Sequence, residues 1–343
     1  MTPQGDDGRG AQIVMAHGGG GELTRRLLAE HIVPPLANDL LDPMTDSAVL
    51  PPIAGRLCLT TDAFVVQPLE FPGGDIGTLA VCGTVNDLAV MGAVPIALSL
   101  AMVIEEGLAL DTLDRIVASI ARSASEAGVV IATGDTKVVE RRDTEGMTIT
   151  TAGVGQVRQD ANLAAGRIGP GDVLILNGHL AEHGLAVMSA RKGLSFQTDL
   201  LSDVAPLGGL VQALLDSGAD VKFLRDPTRG GLAGLLADLA DETSLGIEID
   251  EQAVPVTPAT RNTADMLGLD VLTVANEGKV VAAVSADDAD AALAACRAHP
   301  LGRAGAVIGR FVHAEVPLVE MMTSVGGRRI VSRPYGEDLP RIC

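Results

Sequence analysis

Cys82-Gly83-Thr84-Val85-Asn86-Asp87-Leu88-Ala89 lies inside a stretch, residues 75–92, whose apolar pattern is helical. Asn86 and Asp87 stand there among small and apolar residues, where an ordinary solvated pair would not be placed. A carboxylate in such surroundings is costly unless it is paired or binds a cation. The same conflict occurs upstream in Leu57-Cys58-Leu59-Thr60-Thr61-Asp62-Ala63-Phe64-Val65-Val66, strand-like in composition but interrupted by Thr60, Thr61 and Asp62. Downstream, the short strand Val129-Val130-Ile131-Ala132 runs into Thr133-Gly134-Asp135-Thr136-Lys137. Glycine after a strand lets backbone approach a ligand, while Asp, Thr and Lys supply a metal ligand, a hydroxyl and a cation. Gly-Asp is also ordinary turn chemistry.

Around these segments the chain alternates strand and helix patterns. Residues 95–104 read as a buried strand, 110–127 as a helix capped by Asp111, and 147–157 as another strand. Ahead of them, Ile13 to His17 lead into Gly18, Gly19, Gly20 and Gly21, then an apolar-periodic stretch over 22–36 with Leu23, Leu27 and Leu28 on one face. A glycine run before a helix lets N–H groups converge on an anion, although it serves equally as a hinge. It matches neither of the common phosphate-binding glycine fingerprints. Residues 1–12 read as a disordered lead and 162–171 as a linker, with a boundary near 160.

The second half gives strands over 172–176, 247–249, 271–274, 280–284, 306–312 and 316–318, with helices over 185–191, 207–217, 228–240, 259–267 and 289–299. Two segments stand out there. Arg225-Asp226-Pro227-Thr228-Arg229-Gly230-Gly231 opens a helix. Ala275-Asn276-Glu277-Gly278-Lys279 joins two apolar runs and is open to reading as a hairpin with solvated charge. The resulting class is α/β (α+β), with domains over 13–160 and 161–325 and a tail over 326–343.

At 343 residues the chain exceeds the size one core usually serves. Hydrophobic residues are 47% of the chain, aromatics 2%, and there is no Trp, so the cores are aliphatic and no stacking platform for single-stranded nucleic acid is expected. The net charge of -19, from 25 basic and 44 acidic residues, repels nucleic acid and anionic membrane surfaces. A phosphate ligand would need a divalent cation. No signal peptide and no membrane-spanning run is visible, which places the expectation in the cytoplasm. Cys58, Cys82, Cys296 and Cys343 are far apart, so neither a zinc site nor a disulfide framework is indicated.

The chain ends Pro334-Tyr335-Gly336-Glu337-Asp338-Leu339-Pro340-Arg341-Ile342-Cys343. Two prolines, a glycine and two acidic residues favour an extended arm that finishes on a thiol. Such an end is read either as incidental mobility or as a carried nucleophile, with Arg341 favouring the thiolate and the terminal carboxylate opposing it.

Taken together, these segments resemble the superfamily of aminoimidazole ribonucleotide synthetase, selenophosphate synthetase and the HypE hydrogenase maturation factors, over nearly the whole chain. The resemblance to the HypE family is the closer one. It is carried by His17 with its glycines, Thr60-Thr61-Asp62, Phe71-Pro72-Gly73-Gly74, Gly83 to Asp87, Gly134-Asp135-Thr136-Lys137-Val138-Val139, Asp226 to Gly231, Ala275 to Lys279 and the Pro-Arg-Ile-Cys end. Selenophosphate synthetase is marked by a cysteine or selenocysteine in the N-terminal glycine-rich region, where this chain has His17.

The resemblance implies a two-domain aminoimidazole ribonucleotide synthetase-like (PurM-like) fold. Its N-terminal domain would bind ATP and pair its sheet with its copy in a homodimer. The implied activity is an ATP-dependent carbamoyl dehydratase that turns an S-carbamoyl group on its own Cys343 into a thiocyanate, supplying cyanide for [NiFe]-hydrogenase iron. The implied partners are a HypF-type carbamoyltransferase and a HypC–HypD assembly. In that scheme Asp62, Asp87 and Asp135, with Asp226, hold Mg²⁺, and Asn86 orients nucleotide or metal. His17, Gly18, Gly19, Gly20, Gly21, Thr133, Gly134, Thr136 and Lys137 bind ATP. Lys137 neutralises phosphate charge or removes a proton, and Glu277 is the general base. Two alternatives stay open: a same-fold synthetase acting on a free amide, and a non-catalytic nucleotide-binding scaffold.

Overall fold

The computed structural model describes residues 12–141, 146–191 and 200–335. In chain order its elements are α1 (Glu22–Leu27), α2 (Val33–Leu36), β1 (Leu57–Phe64), β2 (Glu70–Phe71), β3 (Gly74–Asp75), α3 (Ile76–Val90), β4 (Ala93–Glu105), α4 (Leu110–Ala127), β5 (Val130–Val139) and β6 (Met147–Val157). The second half comprises β7 (Val173–Leu176), α5 (Glu182–Arg191), α6 (Gly208–Asp216), β8 (Val221–Arg225), α7 (Gly231–Thr243), β9 (Gly246–Asp250), α8 (Pro258–Leu267), β10 (Val281–Val284), α9 (Ala289–Ala298), β11 (Ala306–Val312), β12 (Val319–Met322) and β13 (Arg328–Val331). The mixed α/β class is as expected. None of the described helices is long and apolar enough to cross a membrane.

The first half forms a four-stranded sheet in the order β1-β6-β4-β5, and the second a seven-stranded sheet in the order β13-β12-β9-β11-β7-β10-β8. Helix α3 lies on one face of the first sheet and is buried on nearly every side, which explains a sequence apolar all round. Asp75 caps it by accepting from the Thr78 N–H at 2.8 Å. Its Gly77 touches α4 so closely that a Cβ would sit 2.5 Å from Ser119 Oγ and 2.6 Å from the Ile116 carbonyl. Val187, Met188 and Ala275 of the second half join the core beneath α3, so the two halves share packed apolar surface.

Among the described residues no helix lies on the opposite face of the first sheet. The strand alternation puts Leu57, Leu59, Thr61 and Ala63 of β1 on it, in register with Gln156, Val154, Ala152 and Thr150 of β6. Leu59 is 74% exposed and Leu57 57%.

Several expectations are corrected by the packing. Thr133 to Lys137 is not a loop after a strand, since β5 runs straight through it in parallel register with β4. Gly134 is required there because a Cβ would lie 2.6 Å from the Leu100 carbonyl oxygen. Helix α4 is not capped by Asp111; Ala109 is the N-cap without a side-chain bond, and Asp111 sits in the first turn, where its charge complements the helix dipole. Residues 271–274 form a turn folded on Asp270, whose carboxylate accepts from Leu272 N–H at 3.0 Å. The helical stretch over 22–36 widens to a π turn at Leu28–Ile32 just before Pro34 and Pro35, and Leu23 is exposed. β8 was not anticipated. Nor was β13, which forms within the expected tail and pairs antiparallel with β12. Of the expected lead, residues 1–11 lie outside the described residues, while Gln12 bridges Ala109.

Gly77→Val is expected to overpack the α3–α4 contact and destabilise the protein by about 1–3 kcal/mol, read as a lowered urea midpoint at unchanged m-value.

Candidate active site

The candidate residues separate into two half-sites at opposite edges of the first sheet. One surrounds Asp62, Asp87, Asp226 and Glu277. Asp62 projects from β1 toward α3, on the same face as Thr60, and Thr60 Oγ1 donates to Asp87 Oδ2 on α3 at 2.8 Å. Asp226 follows β8, and Glu277 lies in the turn before β10. Burial first, then the charge of Asp87, pushes the Asp62 carboxyl up to about 6, with Arg229 opposing the shift. Asp226 is pushed up to about 6 by burial and then by Asp87. Glu277 is raised well above the ordinary carboxylate range by burial, then by Asp226, Asp203, Asp62 and Asp87. The hairpin reading of 275–279 is therefore corrected: Asn276, Glu277 and Lys279 are buried, not solvated. Among the described residues no three His, Cys, Asp or Glu side chains are already arranged to hold a metal ion.

The other half-site lies on β5. Asp135 and Lys137 stand on its outward face, with Lys137 Nζ 3.2 Å from Asp135 Oδ2. The turn at Met15–Gly18 packs against this strand so tightly that a Cβ on Gly18 would meet Val138 N at 2.7 Å. Gly20 and Gly21 face open space, a Cβ on Gly19 would lie 3.5 Å from the Ala16 carbonyl oxygen, and His17 Nδ1 accepts from Val14 N–H at 2.9 Å. Thr24, Leu28, Ile32, Leu36, Leu100, Met102, Gly134 and Thr136 line a mainly apolar cavity of about 140 Å³ beside them. The strand that holds Thr133 thus also walls this cavity.

Asp62 is in register with Thr151, Leu100 and Gly134 across the sheet. Three inter-strand spacings of ~4.8 Å put β5 about 14 Å from β1. Asp135 also points to the face opposite Asp62, being in register with Ala101 and not with Leu100. One chain therefore does not unite Asp135 with Asp62, Asp87 and Asp226, nor Lys137 with Glu277. Sequence spacing carries no information on this separation, because strand order and register are set by pairing between segments distant along the chain.

Asn86 is a second correction. Its Nδ2 donates to the Ala205 and Glu277 carbonyls, each at 3.0 Å, and its Oδ1 accepts from Leu207 N–H at 2.7 Å. Both amide hydrogens and the oxygen tie α3 to the second half, which leaves Asn86 no hydrogen for a nucleotide. Sequence reasoning also missed Asp203. A lysine next to the buried strand β10 demanded a counter-ion, but nothing in the order of residues said which carboxylate would supply it. Cys343 lies outside the described residues.

Two family descriptions match the chain: the N-terminal domain of AIR synthase related proteins over residues 44–157, and the C-terminal domain of the same family over 169–319. Carbamoyl dehydratase HypE of Rhizobium leguminosarum bv. viciae is 47% identical over 333 residues, covering 97% of this chain and 95% of that protein. The Escherichia coli (strain K12) carbamoyl dehydratase HypE is 42% identical over 336 residues, covering 96% and 99%. The chain belongs to the HypE family of carbamoyl dehydratases. A crystal structure of HypE in complex with ATP superposes with a TM-score of 0.92 at 42% identity, covering 96% of this chain and 99% of that one. HypE from a HypE–HypF complex matches with a TM-score of 0.79 at 43% identity, covering 92% and 100%. A thiamine monophosphate kinase from Aquifex aeolicus, with a TM-score of 0.60 at 14% identity, shares the fold alone. Asp62, Asp87 and Asp135 of this HypE-family chain fall in the first matched segment, and Asp226 and Glu277 in the second.

Replacing Asn86 by Leu is expected to leave three buried backbone groups unpartnered and to reduce stability by about 2–4 kcal/mol, measured by chemical denaturation.

Proposed function

We propose that this protein dehydrates an S-carbamoyl group on its own Cys343 with ATP, and that the grouping of Asp62, Asp87, Asp226 and Glu277 at the base of its tail is where this happens. The carrying observation is where the last described residues lie. Pro334 packs against Gly230 and Gly234, at the start of α7 and four residues beyond Asp226. Arg333 is held just before it by Asp238 at 2.6 Å and Asp241 at 3.1 Å. The last eight residues, 336–343, can span up to roughly 26–29 Å when extended. The terminal thiol therefore has the reach to enter the acidic cleft and to leave it for a HypF-type carbamoyltransferase.

In the reaction, the carbamoyl oxygen attacks the γ-phosphorus of ATP and ADP leaves, so the oxygen becomes part of a phosphate. Two protons depart from nitrogen, phosphate leaves carbon, and R–S–C(=O)–NH₂ plus ATP becomes R–S–C≡N plus ADP and phosphate. Glu277 takes a nitrogen proton: its burial beside other carboxylates makes it a stronger base than an exposed glutamate. The cyano group then passes to the iron site on a HypC–HypD assembly in [NiFe]-hydrogenase maturation, in the cytoplasm.

The carboxylates fit a divalent cation, because their mutual repulsion is opposed by arginine charge, Arg229 at Asp62 and Arg225 at Asp226, that does not cancel it. Asp62, Asp87 and Asp226 would hold Mg²⁺, which when bound neutralises phosphate charge. Asp62 and Asp226 must lose protons for this, so Mg²⁺ affinity should fall as pH drops below about 6, a trend that titration calorimetry would read.

The second half-site joins the first through another copy of the chain. The bare, apolar outer sheet face supports a homodimer, and pairing two such faces would bring the Asp135 and Lys137 of one copy toward the acidic cleft of the other. In that arrangement His17, Gly18 to Gly21, Thr133, Gly134 and Thr136 would meet the phosphates, and the apolar cavity beside Gly134 suits the nucleobase. Leu59→Asp should yield a monomer by light scattering and lower the ATP-dependent rate at least tenfold.

Intact-mass analysis tests the whole reading, after incubation with HypF-type carbamoyltransferase, carbamoyl phosphate and ATP. The expected result is a carbamoyl adduct at Cys343 that then loses one water. Cys343→Ala should bind ATP normally yet take neither mass change. A tail-trimmed protein that still releases phosphate on a free amide would favour the small-molecule synthetase instead.

A further inference from the structure

Behind Glu277 lies a buried ionic group with no part in phosphate binding. Asp203 Oδ2 accepts from Lys279 Nζ at 2.7 Å, and Lys279 Nζ also lies 3.5 Å from Glu182 Oε2. The side chains of Asp203 and Lys279 are only 3% and 8% exposed. The other oxygen, Asp203 Oδ1, accepts from the backbone N–H of Glu277 at 3.2 Å. From the opposite side, Asn86 donates to the Glu277 carbonyl at 3.0 Å. The intervening Gly278 packs so closely that a Cβ there would lie 1.8 Å from the Asp203 carbonyl oxygen, which no side chain permits. The peptide units on both sides of Glu277 are thus held, whereas its carboxyl makes no hydrogen bond among the described residues.

We propose that Asp203 is a positioning residue for Glu277: with Lys279 and Asn86 it clamps residues 277–279 so that the Glu277 carboxyl stays directed at the carbamoyl nitrogen. The inference rests on Glu277 acting as the base.

Stability alone gives little reason for the pair, because a buried ion pair seldom outperforms apolar residues of the same volume. A charged acceptor holds the Glu277 N–H more strongly than a neutral one would, even at 3.2 Å. Burial would raise the Asp203 carboxyl, but Lys279, His183 and the Glu277 N–H together hold it below the ordinary range. The far side of the clamp faces a cavity of about 450 Å³ lined by His179, Glu182 and Arg303, so it is a thin wall between cleft and surface and not part of a deep core. A base that must accept a proton from a tail arriving from outside cannot be held by its substrate beforehand; its backbone has to be fixed in advance.

The test uses full-length protein carbamoylated at Cys343 and compares Asp203→Asn, Lys279→Arg and Glu277→Gln for ATP affinity and for single-turnover loss of water. Asp203→Asn should keep ATP affinity within about twofold and slow water loss by about tenfold or more, the split expected of a displaced base. Amide hydrogen exchange over residues 275–279 should quicken in the same variant. Lys279→Arg, which keeps the charge but alters donor geometry, should fall between Asp203→Asn and the wild type, and it carries the test should Asp203→Asn fail to fold. Wild-type water loss in either variant, or ATP affinity and water loss declining in equal proportion, would overturn the clamp. Glu277→Gln separates the two readings: if it turns over normally, Glu277 is not the base and the clamp has no catalytic meaning. If it is inactive while Asp203→Asn is normal, only the clamp fails.

Discussion

Like charges confined behind one another in a poorly solvated cleft are the constraint on which this protein is built. Burial and the neighbouring charge of Asp87 raise the proton affinity of Asp62, Asp226 and Glu277, and a chain with a net charge of -19 supplies little relief from elsewhere. The fold has to hold these side chains against their own repulsion, and it does so through one hydroxyl bond to a carboxylate and through fixed backbone. Thr60 holds Asp87, Asn86 and Asp203 hold the Glu277 peptide, and Gly231 lets α7 start directly beneath the Leu272 and Val274 carbonyls.

The same economy of contacts explains the role of α3. Its buried apolar sides anchor the first sheet, while Asn86 and Asp87, adjacent in sequence, point to different partners: one to the second half of the chain, one to the cleft. Movement of either half relative to the other would strain Asn86 before it disturbed Asp87. The helix therefore couples the position of the Glu277 peptide to the position of Asp87.

Half of the candidate machinery sits elsewhere. Asp135, Lys137 and the glycine run share the far edge of the sheet, on or beside an outer face that offers Leu57 and Leu59 to solvent. Leu57 and Leu59 are apolar side chains presented together on a sheet face that no described helix covers.

The periodicities of the sequence determined the α/β class, most helices and strands, and the residues worth watching, because a carboxylate or amide among apolar neighbours is anomalous wherever the chain goes. The resemblance to the HypE family was carried by short motifs in fixed order, not by periodicity, and needs no knowledge of contacts. Only the tertiary structure decided what each anomaly was for. Asn86 and Asp87 look alike in a string of small residues, yet one is consumed by three backbone groups 119 to 191 residues away. Thr133 to Lys137 reads as a loop because glycine and aspartate favour turns, but pairing with β4 overrides that local preference. Register across four strands, which no single stretch encodes, is what sends Asp62 and Asp135 to opposite faces and edges of the same sheet.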